Sequence, residues 1–409
     1  MDPVTLGMAK AAAKKQITAR MPSLHGSSAV RGMAYPTSTI SPAPTFTAAT
    51  ANTLPTLKSP YWTGFRNFGA PFFDNGLGGN SAYPRGPVRT DGTYTVWDGN
   101  YGIDFDFDGQ TFEFRLQAAT TSFFRLWVDE VPHSLTPQAL TSAVSGLTNG
   151  SAYWFKVDFG SARYRRIRLE MQSPAGPMLF SGVRHSATDT VVPPSRPSPR
   201  IMWVTDSYGH GISGTNVDKS LTYPKLASTL LGFQDARTNL CVPSTGLKQP
   251  NSGVPTIGNF RTRFASDLIP YQPDVVVLQM SINDENNWPT WQGQVGPELG
   301  TCIDTLQAAL PNMKMIVTSP LFAGTPKAAY LTLRDEGKAA CAARGVPFID
   351  YMDTNAPLFS GTGATTSLKA DGNADKYMSS DFTHANAAGY DFVARWLAGR
   401  LGPLLGQSN

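Results

Sequence analysis

The stretch Trp203–Gly211, "WVTDSYGHG", sets Asp-Ser and two glycines directly after a short apolar run. An apolar run that ends in small and polar residues is how a buried strand breaks into a sharp turn. Ser207 is then either a turn serine or a nucleophile held at a strand end. The rest of the chain distinguishes the two.

Outward from this stretch the same pattern recurs. "IMWVTDS", "RTNLCVPS", "PDVVVLQMS", "MKMIVTSP" and "VPFIDY" are five buried-strand candidates. Helical patterns separate them: Phe260, Phe264 and Leu268 fall four apart, and Leu299, Ile303, Leu306 and Leu310 share one face. Alternating strands and helices predict a parallel sheet covered on both sides. Right-handed crossovers make it a doubly wound, flavodoxin-like α/β fold over residues 200–409, with its site at the carboxyl ends of the strands.

Upstream, "TVVPPSRPSPR", Thr190–Arg200, reads as a proline-rich connector over 190–199. Residues 59–189 carry short alternating runs, among them "GIDFDFDG", "QTFEFRLQA", "YWFKVDFG" and "YRRIRLEM". Apolar residues at every second position, with Asp-Gly and Asn-Gly turns between, predict an antiparallel β-sandwich. Within it Asp104, Asp106, Asp108 and Gly109 match the first half of a calcium-binding loop. Arg115 stands where that loop needs a bidentate Glu, so a hairpin with a polar outer face is the better reading. Residues 1–58 are rich in Ser, Thr, Ala and Pro and read as an arm or assembly segment.

Composition narrows the function. The net charge is +4, and the first twenty residues alone hold +3 of it, so no folded domain carries the basic face that nucleic acid requires. No run of about eighteen apolar residues is present to span a membrane. The lysines of "MDPVTLGMAKAAAKK" stand where a signal peptide needs an apolar core. Cys241, Cys302 and Cys341 are far apart in apolar segments and read as buried hydrophobes.

The strand ends carry the chemistry. Ser207 follows the first run, Gly246 the second and Asn283 the third. Asp381 and His384 lie beyond the fifth, just ahead of a helix marked by Phe392/Val393, Trp396/Leu397 and Leu401. A serine hydroxyl needs a base to take its proton when it attacks a carbonyl. His384 can be that base, with Asp381 fixing its tautomer. Backbone N–H groups of Ser207 and Gly246 and the Asn283 amide can bind the oxyanion. This chemistry calls for no metal and no cofactor. His210, three residues after Ser207, is the weaker candidate base, because a base must face the nucleophile across the turn.

These residues, in this order, resemble the four blocks of the SGNH hydrolases, the GDSL esterase/lipase family, over about residues 200–405. The resemblance implies that Ser207 is the nucleophile, that Asp381 and His384 complete its triad, and that Gly246 and Asn283 donate to the oxyanion. Two positions depart from the family pattern: Thr205 and Ser281 each replace a glycine. A β-sandwich ahead of this fold resembles two-domain carbohydrate acetyl esterases, which implies a jelly-roll-like module. The start "DPVTLGMAKAAAKK" resembles bacteriophage tail proteins.

The resemblances imply a serine esterase that removes short acyl groups, O-acetyl above all, from a bacterial surface or cell-wall polysaccharide. They place it outside the cell or on a virion, with other tail proteins as partners of the arm. The alternatives are a catalytically inactive glycan-binding or structural tail protein, and a lipase or thioesterase of the same fold. Trp288 and Trp291 follow Asn283 closely and either stack on a sugar ring or pack in the core.

Overall fold

The computed structural model describes residues 38–73, 82–96, 99–117, 122–172, 179–195, 199–211, 219–254, 256–322, 324–361, 367 and 369–406. They fall into two units, one containing Ala34–Gly86 and Tyr94–Pro197, the other containing Pro87–Thr93 and Ser198–Asn409.

In the second unit the five apolar runs become parallel strands: β1 Arg200–Thr205, β2 Asp235–Cys241, β3 Val275–Gln279, β4 Lys314–Thr318 and β5 Phe348–Ile349. Their spatial order is β2-β1-β3-β4-β5, the flavodoxin-like arrangement. Every residue of β3 is buried, as a central strand with both faces covered requires. The main helices are α1 Ser207–His210, α2 Tyr223–Leu230, α3 Val295–Ala309, α4 Ala328–Ala342 and α5 Ala387–Leu405. Leu299, Ile303 and Leu306 of α3 and Leu333 of α4 pack with Met202, Val204, Val276 and Leu278 in one apolar core. Trp203 alternates to the opposite face, where its indole N–H donates to Ser228 of α2 at 2.9 Å.

The spacing of Phe260, Phe264 and Leu268 does not produce one helix. It produces a 3-10 turn at Arg261–Arg263, a helical turn at Phe264–Asp267 and a second 3-10 turn at Ile269–Tyr271. Pro270 cannot donate to a continuing helix, yet all three apolar residues are still buried.

Pro87–Thr93, which the sequence places with the β-domain, belongs to the α/β unit. The Val88 N–H donates to the buried Asp267 carboxylate at 2.9 Å, and the Thr90 N–H to the Thr256 carbonyl at 2.7 Å. No local periodicity marks such a segment, because its partners lie far away in sequence.

The other unit is an antiparallel β-rich domain. Its frame is two long strands, Asn100–Gln117 and Ala152–Gln172, paired along most of their length. The turn expected at Asp108-Gly109 therefore lies inside a continuous strand, and Phe159-Gly160 lies inside the other. A register shift between Asp158 and Arg163 absorbs the extra residues, with Gly160 at φ 73°. The hairpin expected at Asp108-Gly109 is replaced by this pairing. The Asp104 carboxylate is held by Arg66 and Arg168, and Asp106 accepts from the Tyr164 hydroxyl and the Ser195 N–H.

Two more boundaries move. Within the expected arm, Thr45–Ala49 pairs with Trp154–Asp158, and Thr56–Lys58 pairs with Val183–His185. Such strands are hard to read because backbone bonds hold them; in the first, Phe46 alone packs its ring, on Phe124 and His133. Within the expected connector, Thr190–Val192 pairs with Asp106–Asp108. Residues 1–37, with the tail-like start, lie outside the described residues.

Candidate active site

Ser207 stands at the carboxyl end of β1 as the first residue of α1. Asp206 caps that helix, its carboxylate accepting from the Tyr208 N–H at 3.0 Å. Thr205, one of the departures from the family pattern, is fully buried beneath the turn. Gly209 makes room for it: a Cβ at 209 would collide with the Thr205 side chain and come within 3.1 Å of Cys241 Sγ. The substitution at 205 is thus accommodated inside the same turn.

His384 reaches Ser207 from the loop ahead of α5. Its Nε2 lies 2.8 Å from Ser207 Oγ, and its Nδ1 lies 2.7 Å from Asp381 Oδ2. The other oxygen of Asp381 accepts three bonds: from the Ser379 hydroxyl at 2.7 Å and from the Thr383 and His384 N–H groups, each at 2.9 Å. Burial opposes the charge on Asp381. The His384 N–H, the Ser379 hydroxyl, the Thr383 N–H and the His384 ring outweigh burial and hold the carboxyl at about 2. An ionised carboxylate, an oriented imidazole and a hydroxyl in one hydrogen-bonded line can generate a serine nucleophile.

Ser281, the second departure, connects this line to the next loop. Its hydroxyl donates to Asp206 Oδ2 at 2.6 Å and accepts from the Asn283 N–H at 3.0 Å. Both Asp206 and Ser281 are buried. Burial raises the Asp206 pKa, against the Ser281 hydroxyl and the Tyr208 N–H. A glycine at 281 would leave that buried carboxylate oxygen without this donor. The Asn283 amide donates one N–H to the Thr245 carbonyl at 3.1 Å, and its second N–H remains for another acceptor. The Ser207 N–H, first in α1, has no acceptor within the helix.

Residues 205–392 match the family model described as GDSL-like Lipase/Acylhydrolase. The chain carries a GDSL-like lipase/acylhydrolase domain. Solved structures share the architecture. A family two carbohydrate esterase from Cellvibrio japonicus is 14% identical, with 89% of this chain and 99% of that chain covered and a TM-score of 0.58. A family two carbohydrate esterase from Clostridium thermocellum, in complex with cellohexaose, is 17% identical, with coverages of 83% and 99% and a TM-score of 0.56. A salicylyl-acyltransferase from a tetracycline biosynthetic pathway is 16% identical, with coverages of 85% and 97% and a TM-score of 0.57. No curated protein matches the chain.

The GDSL-like domain treats the remaining sequence candidates differently. Gly246 reaches the same sheet edge, but its N–H donates to the Gln249 carbonyl at 2.8 Å. Expected as an oxyanion donor, that N–H is engaged within its own loop. What the site demands of residue 246 is the absence of a side chain: a Cβ there would sit 2.6 Å from both carboxylate oxygens of Asp284. That carboxylate cannot readily retreat, since it accepts from Leu247, Lys248 and Gln249 at 2.9, 2.8 and 3.0 Å. Asp284 therefore ties the Gly246 loop to its own loop. Burial pushes its carboxyl up to about 6, against those three N–H donors.

Gly246→Ala is expected to destabilise the protein by about 1–3 kcal/mol, the usual cost of overpacking. It should also lower esterase activity. Thermal unfolding and ester hydrolysis of the variant check both outcomes.

In the GDSL-like domain His210 faces Lys219, with Nδ1 at 3.5 Å from the ammonium, and His384 occupies the position opposite Ser207. Trp288 and Trp291 are half-buried and pack against the apolar core. Among the described residues no group of three or more His, Cys, Asp or Glu is placed to hold a metal ion, and no helix is long and apolar enough to cross a membrane. Sequence reasoning missed Tyr208, whose hydroxyl donates to the Thr383 carbonyl at 2.6 Å. No sequence signal joins two residues 175 apart.

Proposed function

We propose that this protein is a serine esterase that releases short acyl groups, principally acetyl, from a polysaccharide. The observation that carries the reading is the hydrogen-bonded line from Asp381 through His384 to Ser207, at 2.7 and 2.8 Å. His384 accepts the Ser207 proton as Oγ attacks the ester carbonyl, then returns a proton to the departing sugar hydroxyl. A water molecule, activated by the same imidazole, cleaves the acyl-enzyme. Asp381 remains ionised throughout and stabilises the imidazolium. The Ser207 N–H and the Asn283 amide receive the oxyanion, and Gly246 joins them only if its N–H leaves Gln249 when substrate binds.

Carbohydrate as substrate class is supported by the names of the structural relatives and by a polar segment between β5 and Asp381. That segment is closed at its neck: the Ser360 N–H donates to Asn373 Oδ1 at 2.7 Å, and the Asn373 N–H donates back to the Ser360 hydroxyl at 3.1 Å. A place outside the cell or on a virion belongs to the same proposal and rests on sequence alone. The intact triad geometry speaks against an inactive binding protein.

Aryl acetate, butyrate and octanoate together with an acetylated polysaccharide test the reading. The rate is expected to fall steeply from acetyl to octanoyl, and the polysaccharide should release acetate. A preference for octanoate would assign the protein to the lipases. No hydrolysis of any ester would leave it a binding protein.

A further inference from the structure

The reaction depends on one short contact, between Ser207 Oγ and His384 Nε2, whose residues lie 177 apart in the chain. The loop that brings His384 forward is not a relaxed one. Phe382 adopts φ 56°, in the left-handed region that bulky residues rarely enter. Such a backbone persists where surrounding bonds over-determine it. The Asp381 carboxylate, the Ser379 N–H to His384 carbonyl bond at 2.8 Å and the Phe382 N–H to Ser379 carbonyl bond at 3.0 Å shape the loop. All of them are internal to it, so none sets its distance from Ser207.

Among the described residues, a bond besides the Ser207–His384 contact crosses to the nucleophile turn, and it comes from Tyr208. Its hydroxyl donates to the Thr383 carbonyl at 2.6 Å, one residue before the base. The same residue follows Ser207, and its N–H is bound by Asp206, so its backbone shares the helix cap with the nucleophile. Tyr208 is buried, and its ring lies 5.2 Å from the His384 ring, centre to centre. Burial also raises the phenol pKa well above its ordinary value, which keeps it a donor.

We propose that Tyr208 is a positioning residue for the general base, its hydroxyl holding the Thr383 carbonyl so that His384 stands within reach of Ser207. The proposal rests on the serine-esterase reading above. A displacement of about 1 Å in a catalytic group can cost about a hundredfold in rate, so one crossing bond is enough to matter.

Tyr208→Phe keeps the ring against His384 and removes the donor alone. On an aryl acetate, kcat is expected to fall about tenfold, the upper end for one neutral hydrogen bond, with KM changed less than about twofold. In a His384→Ala background the same substitution should leave the residual rate unchanged, because its effect is exerted through the imidazole. Placing p-aminophenylalanine at 208 restores a donor and should recover most of the rate. A Tyr208→Phe enzyme at wild-type rate overturns the proposal, as does equal loss with and without His384. So does a Tyr208→Phe chain that fails to fold, or a folded p-aminophenylalanine enzyme no faster than the Phe variant. The esterase reading fails separately, by full activity in His384→Ala itself.

Discussion

Ser207→Ala is expected to lower kcat on an aryl acetate by about 10⁶-fold, the scale on which one member of a serine triad acts. On the proposed mechanism the hydroxyl forms the acyl-enzyme, and the fold does not depend on it. The helix cap belongs to Asp206, and the known partner of Ser207 Oγ is the His384 ring. The melting temperature should therefore stay close to that of the wild type. His384→Ala should cost nearly as much, and the double variant should be no slower than either single one, because the pair acts as a unit. Steady-state kinetics on the three proteins checks this. Independent, multiplying losses would mean that the two groups do not share one proton transfer, and a surviving wild-type rate in either would remove the mechanism.

Asp381→Asn is expected to reduce kcat by about 10⁴-fold with the protein still folded. Asn can still accept at the position where Ser379, Thr383 and His384 donate, so the loop keeps its shape. Opposite His384 Nδ1, however, an amide that donates replaces a carboxylate that accepts, and the imidazole is driven to the wrong tautomer. Asp381→Ala should show a similar rate loss and a lower melting temperature as well, since it removes the acceptor for all three loop bonds. Thermal unfolding alongside kinetics separates the two variants. An Asn variant as fast as the wild type would show that another residue orients the base.

The same carboxylate contributes to acid stability. Its folded pKa, about 2, lies below the roughly 3.9 of an unperturbed aspartate, so its ionised form stabilises the folded loop at neutral pH. That contribution is complete above about pH 4 and fades as pH falls toward 2.

The sequence by itself determined the parallel sheet, its strands and the residues at their ends. Strand and helix periods are local, and a fully buried strand such as Val275–Gln279 must be apolar throughout. Ser207, Asp381 and His384 could be put forward from the sequence for a related reason: Ser207 lies just past a strand, Asp381 and His384 lie just ahead of a helix, and the proposed chemistry asks for one residue type at each position. Asn283 followed from its place after the third strand.

Tertiary structure decided what those residues touch. Only the fold shows that Ser281 joins Asp206 to the Asn283 loop, that the Gly246 N–H is engaged by Gln249, and that Tyr208 reaches Thr383. It also decided that Asp108-Gly109 lies inside a strand and that Pro87–Thr93 belongs to the α/β unit. Apart from the Gly246–Gln249 bond, which spans three residues, these share one physical reason. A hydrogen bond between distant residues depends on where two loops meet, and periodicity along the chain carries no record of that distance.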